Sequence, residues 1–530
     1  MVTKIRNGGL FLEFQKIKLH RSEKRGSAVT QITLDDDYNV PDYRQDIVKV
    51  IKEHGELRFD EVKAMEGAAW IKGSLIFKVL YRSDKQEGKI SCLRGEIPFQ
   101  ERLNMDGLSE YDAVHAVGDI EDLTVGVINS RKLNIRAVIV LTASADTEVD
   151  EELTSELSDG SDYEQNIVEK EALKLLVVRR DICRQKSEAV LPSSKPNIRE
   201  ILWQSMQLRN VESRLTEGNI RFSGEILVSI LYNDEEEGEH LSWYETTVPL
   251  DAQAECGVME NDCIWQVKMI PVTMELEVKP DYDGEERILV MELALDMHIR
   301  IWKEEKIRLL TDLYSLQKDV KPVWKECPLE RLLVKNAAKC RMTEQMELKE
   351  DKEKVLQICS CEGKVLLERQ EITPEGVLAE GTIEVHILYI TPDDHMPVGA
   401  MQEIYPFSQL VEIPEMSTQA KVELDASLEQ LSAVMLDQEH VEIRAAVRLD
   451  LLAFVSEIIP NIEDATESQP DLEMLRNRPG LVGYIAREGD DLWTIAKENH
   501  TTIQNIMETN HRKSETLSAG EKILIVKQVG

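Results

Sequence analysis

Cys359-x-Cys361 is the only close pair of cysteines among the eight in the chain. On a strand, residues two apart project from one face, so both sulfurs are expected side by side. A zinc site draws on four ligands, typically two such pairs, and no second pair follows; His386 and His395 belong in or near a different strand. The thiols are therefore expected to be buried or half-buried, with no metal and no cofactor. Asp and Glu number 99, so carboxylate pairs can be drawn almost anywhere, yet none recurs beside a His or a nucleophile. A Gly-x-Ser-x-Gly elbow, a P-loop and a dinucleotide fingerprint are all absent from the sequence. The expectation is a protein that is not an enzyme, with no catalytic residues.

A second group of residues suits binding rather than catalysis. Tyr484-Ile485 reads as a strand and Gly489 as a turn, and Asp490 or Asp491 can cap a helix carrying Leu492, Ile495 and Ala496 on one face. Trp493, one step on from Leu492, turns toward another face: it is either a core residue or a partner-contacting aromatic of the type enriched at binding hot spots. A second capped helix runs from Thr501 to Asn510, and Leu517–Val526 supplies a turn and a closing strand. The order is βααβ in under fifty residues.

This segment resembles a LysM domain, through Tyr484, Gly489-Asp490, Leu492, Ile495-Ala496, Thr501-Thr502, Ile506, Asn510, Leu517, Gly520 and Ile523. It departs from the family pattern at Asp491, where Ser or Thr is usual, and at Asn499-His500, near the usual aromatic. The resemblance implies a shallow groove made by Gly489, Asp490, Asp491, Leu492 and Trp493 together with Asn510 and the loop before Leu517.

The elements ahead of this module come in threes. Gly73-Ser-Leu75-Ile-Phe77-Lys-Val79-Leu80-Tyr81 is repeated as Gly224–Tyr232 and Gly381–Tyr389, with apolar residues at +2, +4, +6 and +7. Period-two alternation places the +2, +4 and +6 side chains on one strand face. The glycines read as relief of crowding at a strand start, and the tyrosines as rings buried with a wet hydroxyl. Seventeen residues after each tyrosine stands a proline, Pro98, Pro249 or Pro406. Between them lie the polar turns Ser83-Asp84-Lys85, Asn233-Asp234-Glu235 and Thr391–Asp394, so a hairpin with a proline on its edge is expected. Paired alternating runs follow: Leu123–Val127 with Leu133–Val138, Met274–Val278 with Ile288–Leu293, and Leu428–Val434 with Val441–Val447. Short helices are expected at Pro41–Val48 and Pro196–Leu202, from their Pro start and polar first turn.

These units resemble SPOCS domains of spore-coat proteins, through the Pro-Asp/Asn…Ile opening and the Gly…Leu-Tyr strand. Three of them followed by a LysM domain resemble the SipL-type spore coat morphogenetic proteins. The fold class expected is mainly β: three antiparallel SPOCS-like repeats at 20–150, 165–320 and 330–462, a linker at 463–480, and the LysM domain at 481–530. Acidic linkers are expected at Glu148–Glu164 and Glu463–Asp471, and a joint at Lys318–Glu330.

The chain has 530 residues and a formal charge of −36, an acidity that argues against nucleic acid and anionic membrane as partners. Residues 481–530 carry six Lys/Arg and seven Asp/Glu, so the acidity belongs to the repeats. The first residues lack the apolar stretch of a secretory signal, and no run approaches the roughly 20 apolar residues of a spanning helix. Reduced thiols and a cytoplasmic protein without an integral membrane segment are expected. The resemblance implies a mother-cell scaffold at the forespore surface, whose LysM domain docks onto the polymerising coat-basement ATPase (stage IV sporulation protein A) while the repeats bind other coat proteins. Glycan binding at the cortex or wall is the alternative.

Overall fold

The computed structural model describes residues 10–83, 88–235, 240–259, 262–349, 352–414, 416–417, 419–470 and 479–527. The turn positions Asp84-Lys85 and linker residues 471–478 lie outside them.

Strand β1 (Leu10–Phe11) is a short segment paired with the end of the repeat region, Leu10 opposite Glu467. Unit one then comprises β2 (Phe14–Asn39), β3 (Lys49–Met65), β4 (Ala68–Arg82), β5 (Ile90–Asn104), β6 (Ala113–Asn129) and β7 (Lys132–Leu157). Unit two repeats the series as β8 (Glu164–Val190), β9 (Ile198–Thr216), β10 (Asn219–Asp234), β11 (Leu241–Glu255), β12 (Cys263–Pro280) and β13 (Glu286–Tyr314). Unit three repeats it again as β14 (Asp319–Glu347), β15 (Gln357–Thr373), β16 (Gly376–Ile390), β17 (Val398–Glu412), β18 (Lys421–Met435) and β19 (His440–Ser468). All pairings are antiparallel. In unit one the sheets are β3-β4-β5 and β2-β7-β6, and the other units follow the same order.

The Gly-to-Tyr segment lies in the central strand of each meander, and alternation sorts its side chains. Leu75, Phe77, Val79 and Tyr81 turn into a core shared with Leu133, Ile135 and Ala137 of β7, so the two sheets close as a sandwich. Tyr81, Tyr232 and Tyr389 are fully buried. Their hydroxyls donate to the carbonyls of Gln45, Pro196 and Glu353, each at 3.1 Å and each 36 residues earlier. The glycines sit inside the strands, not at their starts, opposite a register shift that brings the neighbouring strand close. A Cβ on Gly73 would lie 2.4 Å from Arg58 O, and one on Gly381 2.2 Å from Leu366 O. Pro98, Pro249 and Pro406 fall on the edge strands β5, β11 and β17, where a missing N–H costs no ladder bond.

The +7 leucines point the other way. Leu80, Leu231 and Leu388, at most 1% exposed, meet in a single cluster with Leu202, Trp203 and Cys359. The three meanders are thus packed back to back in a pseudo-three-fold arrangement. At this junction Lys52 Nζ of unit one lies 2.9 Å from Glu362 Oε1 of unit three, and Trp203 Nε1 of unit two donates to the same oxygen at 3.1 Å. Burial alone would raise the Glu362 carboxyl. The Lys52 and His54 charges and the two hydrogen bonds outweigh it and hold the group below its ordinary value.

The longest strands continue beyond the sandwiches as two-stranded ribbons, each set off by a bulge near Arg25, Leu176 or Leu333. The ribbons form a stem whose core takes Leu19 and Leu153, Ala172 and Leu309, and Leu329 and Ile459 from the three units. Asn461, buried in it, accepts from Thr154 N and donates to Thr154 O and Leu310 O at 2.8–3.2 Å.

Three further expectations are corrected. Pro41–Val48 and Pro196–Leu202 are not helices: the first is turn and coil, and Ile198 onward is strand. Carbonyls that a helix would use internally go instead to the tyrosines and to arginine. Arg131 takes those of Pro41 and Arg44 together with Val40 just ahead of the segment, and Arg287 takes Pro192 O and Lys195 O in the turn before the second segment. These bonds displace a helix too short to nucleate alone.

Residues 148–157, 319–330 and 463–468 are stem strand, not linker. Their acidity is matched by neighbours, Glu151 by Arg21 and Lys325, and Glu467 by Lys318. Pro322 and Pro328 are accommodated because, among the described residues, β14 pairs with β19 alone.

Cys359 and Cys361 do not share a face. Cys359 is the extra residue of a bulge between Ile358 and Ser360, so it joins the junction while Cys361 joins the unit-three core. Burial pushes both thiols up to about 12. Among the described residues, no cluster of three or more His, Cys, Asp or Glu is placed to hold a metal.

Candidate partner-binding site

The C-terminal module comprises β20 (Leu481–Ile485), α1 (Leu492–Glu498), α2 (Ile503–Thr509) and β21 (Lys522–Val526), with the outer strands paired antiparallel. Leu492, Ile495, Ala496, Ile506, Ile523 and Ile525 make its core. Asp491 is the cap of α1, its Oδ1 accepting from Thr494 N at 2.7 Å. Asp490 Oδ2 accepts from Arg487 N and Tyr484 OH, both at 2.8 Å, which hold its carboxyl below the ordinary range. Gly489 has φ +89°, the left-handed value that favours glycine in this turn. Asn510 ends α2, and its side chain both accepts from Leu524 N and donates to Leu524 O, at 2.7 Å each. The two loops are joined by Ala486 N to Glu521 O and Gly520 N to Ala486 O.

Of the residues expected in a groove, Gly489, Asp490 and Asp491 lie on the first loop and Asn510 at the end of α2, where the second loop opens; residues 513–516 and 518–520 of that loop are exposed. Leu492 lies beneath, in the module core. Trp493 faces the stem. Its Nε1 donates to Asp312 Oδ2 at 2.8 Å, and its ring meets Tyr314 edge-on at 4.9 Å between centroids. Lys497 Nζ lies 2.7 Å from both Asp312 oxygens, Tyr314 OH donates to Thr501 O at 2.8 Å, and the His500 ring reaches Leu316 O. One face of the module is thus fastened to the foot of β13, and Trp493, expected in the groove, is instead part of that fastening. No local motif marks Asp312 or Tyr314, because their partners lie some 180 residues onward.

The SipL SPOCS-domain family matches residues 46–128 and 354–436, and the LysM family matches residues 484–526. This is the domain content of a SipL-type protein. The SipL family ties the chain to sporulation and coat assembly, and the LysM domain is a glycan- or protein-binding module. Each SPOCS match takes in the meander and the strand after it, β3–β6 and β15–β18. The intervening unit lies outside the matched segments, yet β9–β12 repeat the same pairings. No curated protein matches the chain. Among solved structures, the ferric yersiniabactin uptake receptor FyuA from Yersinia pestis aligns with 84% of this chain and 80% of its own at 8% identity and a TM-score of 0.10, a likeness that carries no argument. No described helix is long and apolar enough to cross a membrane.

Proposed function

We propose that this SipL-type chain is a non-enzymatic scaffold of the spore coat. Its LysM groove docks onto the polymerising coat-basement ATPase in the mother cell, and its three sandwiches bind other coat proteins around the forespore. The observation that supports the reading is the division of the LysM surface into a face fastened to the stem and a pair of joined loops with exposed residues 513–516 and 518–520. A groove held on a rigid stem presents its loops in one orientation, and many such chains on a polymer gain from repeated attachment. The acidity of the repeats favours basic coat partners through long-range attraction.

The test is capture of the purified ATPase by the full chain, by a chain lacking 479–530, and by Ser514→Trp and Ser518→Trp, which crowd the groove from exposed positions. Capture by the full chain alone, with thermal midpoints of the tryptophan variants unchanged, supports the reading. Retention on insoluble peptidoglycan without ATPase capture overturns it in favour of glycan binding.

A further inference from the structure

Two seams between repeats are closed by different chemistry. On β13, alternation turns Met297 and Ile299 into the unit-two core and leaves His298 and Arg300 on the outer face. Arg300 reaches unit three, where it pairs with Glu423, and beside it Lys268 Nζ lies 2.8 Å from Asp425 Oδ1. Those charges stay fixed at neutral and mildly acidic pH. His298 reaches unit one instead. Its ring meets that of His115 on β6 at 4.5 Å between centroids and 63° between planes. Val114 and Ala116 belong to the unit-one core, so His115 is turned out of it toward this seam.

Both rings are half-buried and poorly supplied with acceptors. His298 Nε2 lies 3.3 Å from Asp296 Oδ2. That carboxylate is already taken by Arg180, whose Nε lies 2.9 Å from both of its oxygens. His115 Nδ1 is enclosed and has no hydrogen-bond partner among the described residues. The charged groups bearing on His115 are Asp146 from β7, Arg180 from β8, and Asp296 and His298 from β13. Strand β3, against the inner face of β6, presents Leu57 and Phe59. Burial holds the His115 imidazole below its ordinary value; His298 and Arg180 act in the same direction, and Asp146 and Asp296 against it. A neutral imidazole rests here at little cost, whereas an imidazolium loses hydration and faces Arg180 and His298.

We propose that His115 and His298 form an acid-released latch: a proton taken up at His115 parts β6 of unit one from β13 of unit two, while fixed ion pairs keep units two and three together. The latch lies in the seam between repeats and is independent of the docking reading. Linkage sets the direction of the effect. The unfolded chain binds this proton at about pH 6.5, above the folded value. The contribution of a neutral His115 is therefore complete above about pH 6.5 and is lost as pH falls from there toward the folded value, a window above that of ordinary carboxylates.

Hydrogen exchange of the full chain, read by mass spectrometry between about pH 7.5 and 5.5 and corrected for intrinsic pH dependence, tests it. Peptides covering 113–120 are expected to exchange several-fold faster at the acid end, and those covering 421–428 are not. His115→Gln, which cannot take up the proton, removes the acid step. His298→Gln shrinks it, and carries the comparison if the first variant does not fold. Three results overturn the proposal: no acid step at 113–120, an equal step at 421–428, or a step of wild-type size in every variant that folds.

Discussion

Trp493 donates its indole N–H to Asp312 Oδ2 at 2.8 Å across 181 residues of chain, and Lys497 closes on the same carboxylate. A single aspartate at the end of β13 thereby receives two donors from α1 and holds the LysM domain to the stem. Asp312→Ala is expected to weaken docking by about 1.5–3 kcal/mol, the worth of bonds to a charged group. The module's own core does not include Asp312 and stays folded. In 15N relaxation, LysM amides of the variant would tumble faster than those of the stem. Unchanged tumbling would show that Tyr314 and His500 suffice.

The junction ion pair behaves asymmetrically. Lys52→Met leaves the Glu362 carboxylate buried without its ion-pair partner, with the Trp203 hydrogen bond and the His54 charge remaining, at a cost of about 3–5 kcal/mol. Adding Glu362→Leu removes the stranded charge and recovers most of that loss. Thermal midpoints of the single and double variants check it; a double variant as unstable as the single one would refute the account.

The same carboxylate gives stability a pH dependence. A carboxyl held below its ordinary value in the folded state stabilises the fold fully above its unfolded pKa, about 4.3, and loses that contribution as pH falls through the folded value. Acidification below about pH 4 should therefore destabilise the wild-type chain more steeply than the Lys52→Met/Glu362→Leu variant. Parallel midpoint-against-pH curves would rule this out.

Asn461→Leu strips the stem of its three bonds and leaves Thr154 N–H, Thr154 O and Leu310 O facing apolar neighbours. At about 1–3 kcal/mol for each buried unsatisfied group, a loss of several kcal/mol is expected. Hydrogen exchange at Thr154 should accelerate, while Tyr81, in the sandwich core of unit one, keeps its protection.

Much of the fold is legible locally because period-two alternation survives in each unit. Leu75, Phe77 and Val79 announce a core face, and the edge prolines and hairpins lie where spacing puts them. What eludes a linear reading is of two kinds. Bulges change which face a residue occupies, so Cys359 and Cys361 part company at a shift no composition reveals. Compensation between distant segments also hides: Glu151 and Glu467 look like solvated linker until Arg21, Lys325 and Lys318 come alongside. The LysM module is legible as a continuous motif, whereas the aspartate that receives Trp493 belongs to another unit.

Strand β13 runs 29 residues from Glu286, at the far edge of the second sandwich, to Tyr314 against the LysM domain. At about 3.3 Å per residue that is a strut of at most about 95 Å, paired with β8 from Ile288 to Tyr314. A Gly/Ser tether of equal contour would fluctuate in length. A hydrogen-bonded ribbon is far stiffer, so its two ends are kept a set interval apart. That interval is written into the number of residues in one strand.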